Sequence, residues 1–304
     1  MIRRSARLTA LAVAVLALSA CAPAKPAKTV ITFSLLSADA QSEVRVYWQP
    51  VLDDLAKSTG YEVKPFFSSS YGLLVEAMGA KQVDVGWFSA LPAVEAVDRA
   101  NAEVFARTVD DHGLDTYTSV ILVKKGSGLT LDKLLTCDHS LNFGMGDPKS
   151  TSGTLAPMTY LFTPRHIDPK ACFKTVRSAE HSVNLLGVAN GVVDAATNNS
   201  TGLSYYKTGT PQAREALEKT EVIWRSPPLP ESAVVYRADL DPALKEKIRT
   251  FFVTYGKAAG PEGDHQRAVL AKLKYSAFRA AENAYLEPIR QMKTAADASQ
   301  KKAP

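Results

Sequence analysis

The chain has 304 residues, 46% of them hydrophobic and 22% charged, with a formal net charge of +5. Three of the positive charges, Arg3, Arg4 and Arg7, stand in an N-terminal segment without acidic residues, which leaves the rest balanced at about +2 and gives a nucleic-acid role no electrostatic footing. Without that segment about 280 residues remain, enough for two hydrophobic cores of ordinary size.

Residues 1–20 have the order of a secretion signal: basic residues, an apolar run over 8–18, then Leu18-Ser19-Ala20. The run is too short to span a bilayer permanently, and no other stretch approaches the roughly 18 uninterrupted apolar residues that a transmembrane helix needs. Cys21 follows directly. Leu-Ser-Ala-Cys resembles the lipobox of bacterial lipoproteins, in which Cys21 becomes the acylated first residue of the mature protein; ordinary cleavage near Ala20 or Ala22 is the alternative. The protein is expected in the periplasm or at the cell surface, tethered to a membrane by lipid. Residues 21–28, with Pro23 and Pro26, read as a linker.

The folded body opens as alternating strands and helices. Short β-branched or aromatic runs over 29–35, 61–67, 83–87 and 104–108 are predicted strands. The helix over 42–57 carries Val44, Tyr47, Trp48, Val51, Leu52 and Leu55 on one apolar stripe, with Pro50 expected to kink it; further helices are expected near 71–81 and 91–100. A second series has strands over 117–123, 141–145, 173–176, 193–197 and 222–224, and helices after Ser152 and over 181–190. A strand over 232–236 then gives way to three helices. Asp241 as N-cap, Pro242 at the first helical position and Gly256 after Tyr255 bracket the first of them.

Two such series in one exported chain imply an α/β fold of two lobes joined by two crossing strands as a hinge, with a binding cleft between. The boundaries expected are 29–117 plus 233–293 for lobe 1 and 118–232 for lobe 2, with 294–304 as a polar tail that frays. Cys137 and Cys172 remain as natural partners in an oxidising compartment, each just ahead of a predicted strand. If those strands are parallel neighbours the two thiols share one end of the sheet, and a disulfide would stabilise by roughly 3–4 kcal/mol. Two separately buried thiols are the alternative.

The stretch from Asp147 to Pro157 bears most on function, because Ser150, Thr151 and Ser152 open a helix directly after a strand. The first turn of a helix carries N–H groups without partners and the positive end of the peptide dipoles, so an anion placed there gains several donors at once, to which the hydroxyls add. Plain N-capping by Ser150 or Thr151 is the competing reading. His181 also follows a strand and opens a helix. In open α/β sheets ligands sit outside the carboxyl ends of strands, so His181 is placed either to donate to the same anion or to act as an ordinary capping residue. No His/Cys/Asp cluster has metal-ligand spacing, and no metal or cofactor is expected.

Four separated segments now carry a resemblance: Asp147–Pro157; Gly86-Trp87-Phe88 with 93–101; Val193-Asp194-Ala195-Ala196-Thr197-Asn198-Asn199; and Val222-Ile223-Trp224-Arg225-Ser226-Pro227. Together they resemble the periplasmic phosphonate-binding proteins of phosphonate ABC importers, over about Val30 to Arg290. The resemblance implies a two-lobed periplasmic binding protein that closes over a small phosphonate and presents it to an ABC permease and its ATPase. It implies that Ser150, Thr151, Ser152 and His181 hold the phosphonate oxygens, that Tyr71 reaches the ligand from the other lobe, and that Tyr117 flanks the organic tail. For each tyrosine alone, core packing is the competing reading.

One departure matters. Relatives that take 2-aminoethylphosphonate place carboxylates against the amine, one just after the Thr-Asn-Asn run and one after Ser-Pro-x-x-Pro. This chain has Ser200-Thr201 at the first place and Glu231-Ser232 at the second, which leaves Thr201 and Glu231 as contacts for the ligand tail. A buried ammonium without a partner is costly, so uncharged phosphonates, phosphite or phosphate become competing ligands. A secreted hydrolase using Ser150 as nucleophile and His181 as base is the reading from another class. It lacks a Gly-x-Ser-x-Gly elbow and a residue to orient the histidine, so no enzyme activity is expected.

Overall fold

The computed structural model describes residues 30–36 and 41–300; the secretion signal, Cys21 and the linker lie outside them. Strands β1 (Val30–Leu36), β2 (Glu62–Ser68), β3 (Val85–Phe88) and β4 (Ala102–Asp110) come from the first α/β series. The chain crosses through β5 (Thr116–Tyr117) into β6 (Ser119–Lys124), β7 (Asn142–Met145), β8 (Thr175–Ser178), β9 (Ala195–Asn199) and β10 (Thr220–Arg225). It returns through β11 (Leu229–Pro230) to β12 (Ala233–Arg237) and β13 (Tyr275–Ala280).

The strands form a six-stranded sheet ordered β13-β4-β12-β3-β1-β2 and a five-stranded sheet ordered β10-β6-β9-β7-β8. The crossings β5 and β11 pair antiparallel with each other, Leu229 opposite Tyr117. Each sheet is the centre of one lobe, and the β5–β11 ribbon is the hinge between them.

Helices cover both faces of the first sheet. The apolar stripe of helix Gln41–Thr59, with Trp48, Val51, Leu52 and Leu55 buried, packs on Phe33, Phe252 and Phe278. On the opposite face, helices Tyr71–Gly79 and Ala90–Arg99 bury Leu74, Met78, Ala93 and Val94 around Phe88. That cluster also takes in Leu155 and Ala156 of the second lobe, so apolar packing crosses between the lobes. In the second lobe Phe143, Phe162 and Phe173 pack on one face and Leu185, Val188 and Tyr206 on the other. Each such buried side chain contributes about 2 kcal/mol.

Strands β7 and β8 are parallel neighbours, and Cys137 and Cys172, in the segments leading into them, are joined by a disulfide with S–S 2.03 Å.

Three local expectations differ from the structure. The C-terminal region is not all helical, because after helices Pro242–Thr254 and Pro261–Lys272 the chain adds strand β13 to the sheet edge. A register shift against β4 between Tyr275 and Ala277 breaks the alternation that would have marked it as a strand. The tail expected to fray from Thr294 continues instead as helix Glu287–Gln300, with Ile289 and Met292 buried and Ala296 packed against the same core. The helix after Ser152 is wound wider than an α-helix over Thr151–Leu155 and Met158–Phe162, with Leu155 N–H donating to the Ser150 carbonyl five residues back at 3.0 Å.

Candidate functional site

The turn after β7 is held by its own backbone. Gly146 and Gly153 lie face to face: Gly146 N–H donates to the Gly153 carbonyl at 2.9 Å, and a Cβ on Gly146 would stand 2.6 Å from the Gly153 Cα. Asp147 folds the turn by accepting from Lys149 N–H at 2.7 Å on Oδ1 and from Ser150 N–H at 2.8 Å on its carbonyl. Ser119 Oγ from β6 donates to the Ser152 carbonyl at 2.6 Å, and Thr197 Oγ1 from β9 donates to the Gly153 carbonyl at 2.9 Å. Both sides of the turn are thereby tied to the sheet, and the three hydroxyls are set in place before any ligand arrives.

Those hydroxyls have different surroundings. Ser150 Oγ caps the helix by accepting from Gly153 N–H at 2.9 Å, which leaves its proton to donate. Thr151 Oγ1 accepts from Leu91 N–H of the opposite lobe at 2.8 Å. Ser152 Oγ lies 3.5 Å from His181 Nε2. Capping and anion binding are therefore not exclusive at Ser150, whereas Thr151 is turned towards the other lobe.

A cavity of about 70 Å³ between the lobes is lined by Ser150 and Ser152 together with Tyr71, Tyr117 and His181. Its wall is made largely of helix starts. Tyr71 and His181 are the first residues of helices Tyr71–Gly79 and His181–Ala189, while Ser89, Ser150 and Asn199 are N-caps of three others. The positive ends of several peptide dipoles thus face one small space, and among the described residues no lysine or arginine lines it. An outer cavity of about 280 Å³, sharing Tyr71 and His181, forms the mouth between Ser69-Ser70 of one lobe and Gly146–Pro148 and Ser178–Glu180 of the other. A larger groove of about 890 Å³ lies elsewhere, beside Asp54, Lys57 and Tyr255, without comparable convergence.

His181 is buried, and desolvation holds its imidazole at a pKa of about 4, only partly offset by the Thr197 carbonyl. It is neutral in ordinary conditions, with one nitrogen a donor, and Nδ1 is buried without a hydrogen-bond partner. Burial, and after it the Glu231 charge, pushes the Tyr117 hydroxyl well above its usual range, so it stays a neutral donor.

The far end of the cavity is built around Glu231, only 2% exposed. Its Oε1 accepts from Thr201 Oγ1 at 2.5 Å, and its Oε2 from Ser232 N–H at 3.0 Å and Thr108 Oγ1 at 3.4 Å. Burial raises this carboxyl above the usual range against the opposing effect of those donors. Trp87, Tyr205 and Tyr275 complete the wall. The Tyr275 hydroxyl stands near Tyr205, Thr108 and Trp87, yet neither it nor Trp87 Nε1 makes a hydrogen bond of ordinary geometry.

The structure brings Tyr71, Tyr117, Ser150, Ser152, His181, Thr201 and Glu231 to one cavity; Thr151, expected beside them, does not line it, because its hydroxyl accepts from Leu91 N–H of the other lobe. Tyr117 differs in emphasis from its expected place along the tail, since its hydroxyl is set beside the Ser152 and Thr151 hydroxyls. Sequence reasoning missed Trp87, Ser89, Asn199, Tyr205 and Tyr275. Ser89 and Asn199 carried a usable signal, a polar residue between a strand and a helix; Tyr205 and Tyr275 carried none. As a nucleophile and base, Ser150 and His181 have no supporting geometry, because it is Ser152 and not Ser150 that faces His181.

Residues 33–286 match the model of a family described as ABC transporter, phosphonate, periplasmic substrate-binding protein. The chain is 40% identical over 272 residues to the phosphonates-binding periplasmic protein of Escherichia coli K12, covering 89% of this chain and 78% of that protein. It is 26% identical over 260 residues to the phosphate-import protein PhnD of Mycolicibacterium smegmatis, covering 80% of each. Among solved structures, a binding protein component of an ABC phosphonate transporter from Pseudomonas aeruginosa superposes with a TM-score of 0.85 at 37% identity, covering 90% of this chain and 88% of that one. A two-lobed α/β fold hinged on crossing strands, a match through nearly the whole folded body and the identity to the Escherichia coli protein lead to one assignment: the chain belongs to the periplasmic substrate-binding proteins of phosphonate ABC transporters, a family of transport components and not of enzymes.

Proposed function

We propose that the protein captures small phosphonates by closing its lobes over the phosphonate group and delivers them to an ABC permease and its ATPase, held at the membrane by lipidated Cys21. One observation above the others supports this reading. Tyr71 from one lobe and Ser150, Ser152 and His181 from the other converge on a small cavity walled by helix starts, where an oxyanion gains donors with no lysine or arginine among the described residues that line it.

The two serine hydroxyls, the Tyr71 hydroxyl and the protonated nitrogen of neutral His181 hold the phosphonate oxygens, with Thr151 and Tyr117 steadying that end. Hydrogen bonds to a charged acceptor contribute about 1.5–3 kcal/mol each, and four or five of them, less the cost of ordering and closure, give roughly micromolar affinity or tighter. The organic tail faces Thr201 and Glu231. Because Glu231 already accepts from Thr201 Oγ1 and Ser232 N–H, with Thr108 Oγ1 shared between it and the Ser232 carbonyl, an ammonium is accepted there without being required.

Phosphite or phosphate is the second reading, favoured by the cavity's small volume and by the relative named for phosphate import. Against phosphate, the Glu231 end offers aromatic rings and an occupied carboxylate to its fourth oxygen. Calorimetry with methylphosphonate, 2-aminoethylphosphonate, phosphite and phosphate tests the choice. Methylphosphonate and 2-aminoethylphosphonate are expected to bind at least about tenfold more tightly than phosphate, roughly the worth of one hydrogen bond. Phosphate binding tightest of the four would overturn the phosphonate reading, and no heat with any of them would overturn both.

A further inference from the structure

Glu95 takes no part in the site described above, yet its side chain is only 3% exposed on helix Ala90–Arg99, and its Oε1 accepts from Lys149 Nζ at 2.6 Å. Lys149 belongs to the other lobe and immediately precedes Ser150. Two residues further along, Thr151 Oγ1 accepts from the Leu91 N–H of the same helix at 2.8 Å. Leu91 and Glu95 are four residues apart and share one helix face. The turn that carries the anion-binding hydroxyls therefore grips one helix of the opposite lobe at two points, with Ser150 between the grips and Ser150 and Ser152 both facing the cavity.

We infer that Glu95 is a positioning residue for ligand capture: by holding Lys149 across the cleft it registers the Ser150–Ser152 turn against lobe 1 and raises the population of the closed arrangement. This rests on reading the cleft as the phosphonate site. In this arrangement Glu95 is buried and its partner comes from the other lobe, so a variant that leaves the carboxylate here without Lys149 disfavours the contact between the lobes. Apparent affinity falls in proportion to the fraction of molecules in the competent arrangement. Since the pair does not line the cavity, its loss acts on every ligand by one common factor, which separates it from a residue that reads the tail. Lys149, 42% exposed, is also drawn away from the anion by Glu95.

The test uses Glu95→Gln, Lys149→Gln and the double variant, with calorimetry on methylphosphonate and 2-aminoethylphosphonate and small-angle scattering of the ligand-free proteins. Each single variant is expected to raise Kd for both ligands by the same factor, roughly 5- to 50-fold, within the lower part of the range usual for coupling between sites. The double is expected to be no weaker than the weaker single, and the ligand-free radius of gyration to increase while the liganded value stays at that of the wild type. Lys149 is half-exposed, so its variant reports on the pair even if Glu95→Gln folds poorly, and Glu95→Asp is expected to restore part of the affinity. Unchanged Kd, tighter binding, a factor that differs between the ligands, or fully additive singles would overturn the inference. Should the wild type bind no phosphonate, the capture reading fails by itself, and ligand-free scattering of the variants still decides whether the pair holds the lobes together.

Discussion

Ser150, Ser152 and His181 bring donors to one end of the cavity with capacity to spare, whereas at the other end Glu231 already accepts from Thr201, Ser232 and Thr108. The first end is incomplete until an oxyanion enters. At the second the carboxylate is already paired, although the Tyr275 hydroxyl and Trp87 Nε1 beside it make no hydrogen bond of ordinary geometry. Buried polar groups gain most from a partner they lack and little from one they must exchange, so affinity belongs to the serine–histidine end and discrimination to the glutamate end. An entering tail is selected by whether it improves on hydrogen bonds that are already made.

The two ends also titrate in opposite senses, and this gives the largest expected effect. His181 is held near a pKa of 4 in the folded protein, against about 6.5 when unfolded. Between those values the unfolded chain binds the extra proton, so stability drops as pH falls from 6.5 towards 4, by about 3 kcal/mol at the foot of the window. Glu231 runs the other way. Its raised pKa means that the folded state binds more protons, a contribution present at acid pH and lost as pH rises through the folded value. Thermal melts of wild type and His181→Gln across pH 4–7 should show the variant gaining on the wild type as the buffer is acidified. A constant gap would show that His181 is not held neutral by burial.

Next in size is the loss of an anion donor. Ser152→Ala should weaken methylphosphonate and 2-aminoethylphosphonate alike, by about 2 kcal/mol or roughly thirtyfold, since the hydroxyl it removes meets the group the two ligands share. Calorimetry on both ligands checks this. A loss confined to one of them would place Ser152 at the tail and erase the distinction between the ends.

The difference between the ends also explains what was legible in the sequence. The anion end is built from consecutive residues at a strand–helix junction, so local pattern and dipole physics marked Ser150 to Ser152, and His181 at the next such junction, as candidates, with capping as the competing reading until the family resemblance was added. The glutamate end is assembled from β4, the helix after β9, the segment after β11 and β13, and no spacing rule links Thr108, Thr201, Glu231 and Tyr275. In the fold, the alternating series and the apolar stripe of helix Gln41–Thr59 were legible because one periodicity held throughout each element. Strand β13 was not, because the register shift after Tyr275 interrupts its alternation. Nor was the wide winding after Ser150, which begins where Gly146 and Gly153 approach each other too closely for a side chain between them.

The smallest effect should come from altering the glutamate end so that its carboxylate is no longer satisfied on its own. In Thr201→Glu a second carboxylate stands where a hydroxyl now donates to Glu231 at 2.5 Å. Two carboxylates at that distance do not both stay ionised in a buried site, so the empty variant keeps one proton between them. An entering ammonium lets that proton leave, whereas a methyl group does not. Selectivity for 2-aminoethylphosphonate over methylphosphonate is therefore expected to rise by about tenfold, near 1.4 kcal/mol, with protons released on binding the amine and none on binding methylphosphonate. Calorimetry in two buffers of different ionisation enthalpy measures both quantities. Equal affinities in wild type and variant, without proton release, would mean that the tail never reaches Glu231.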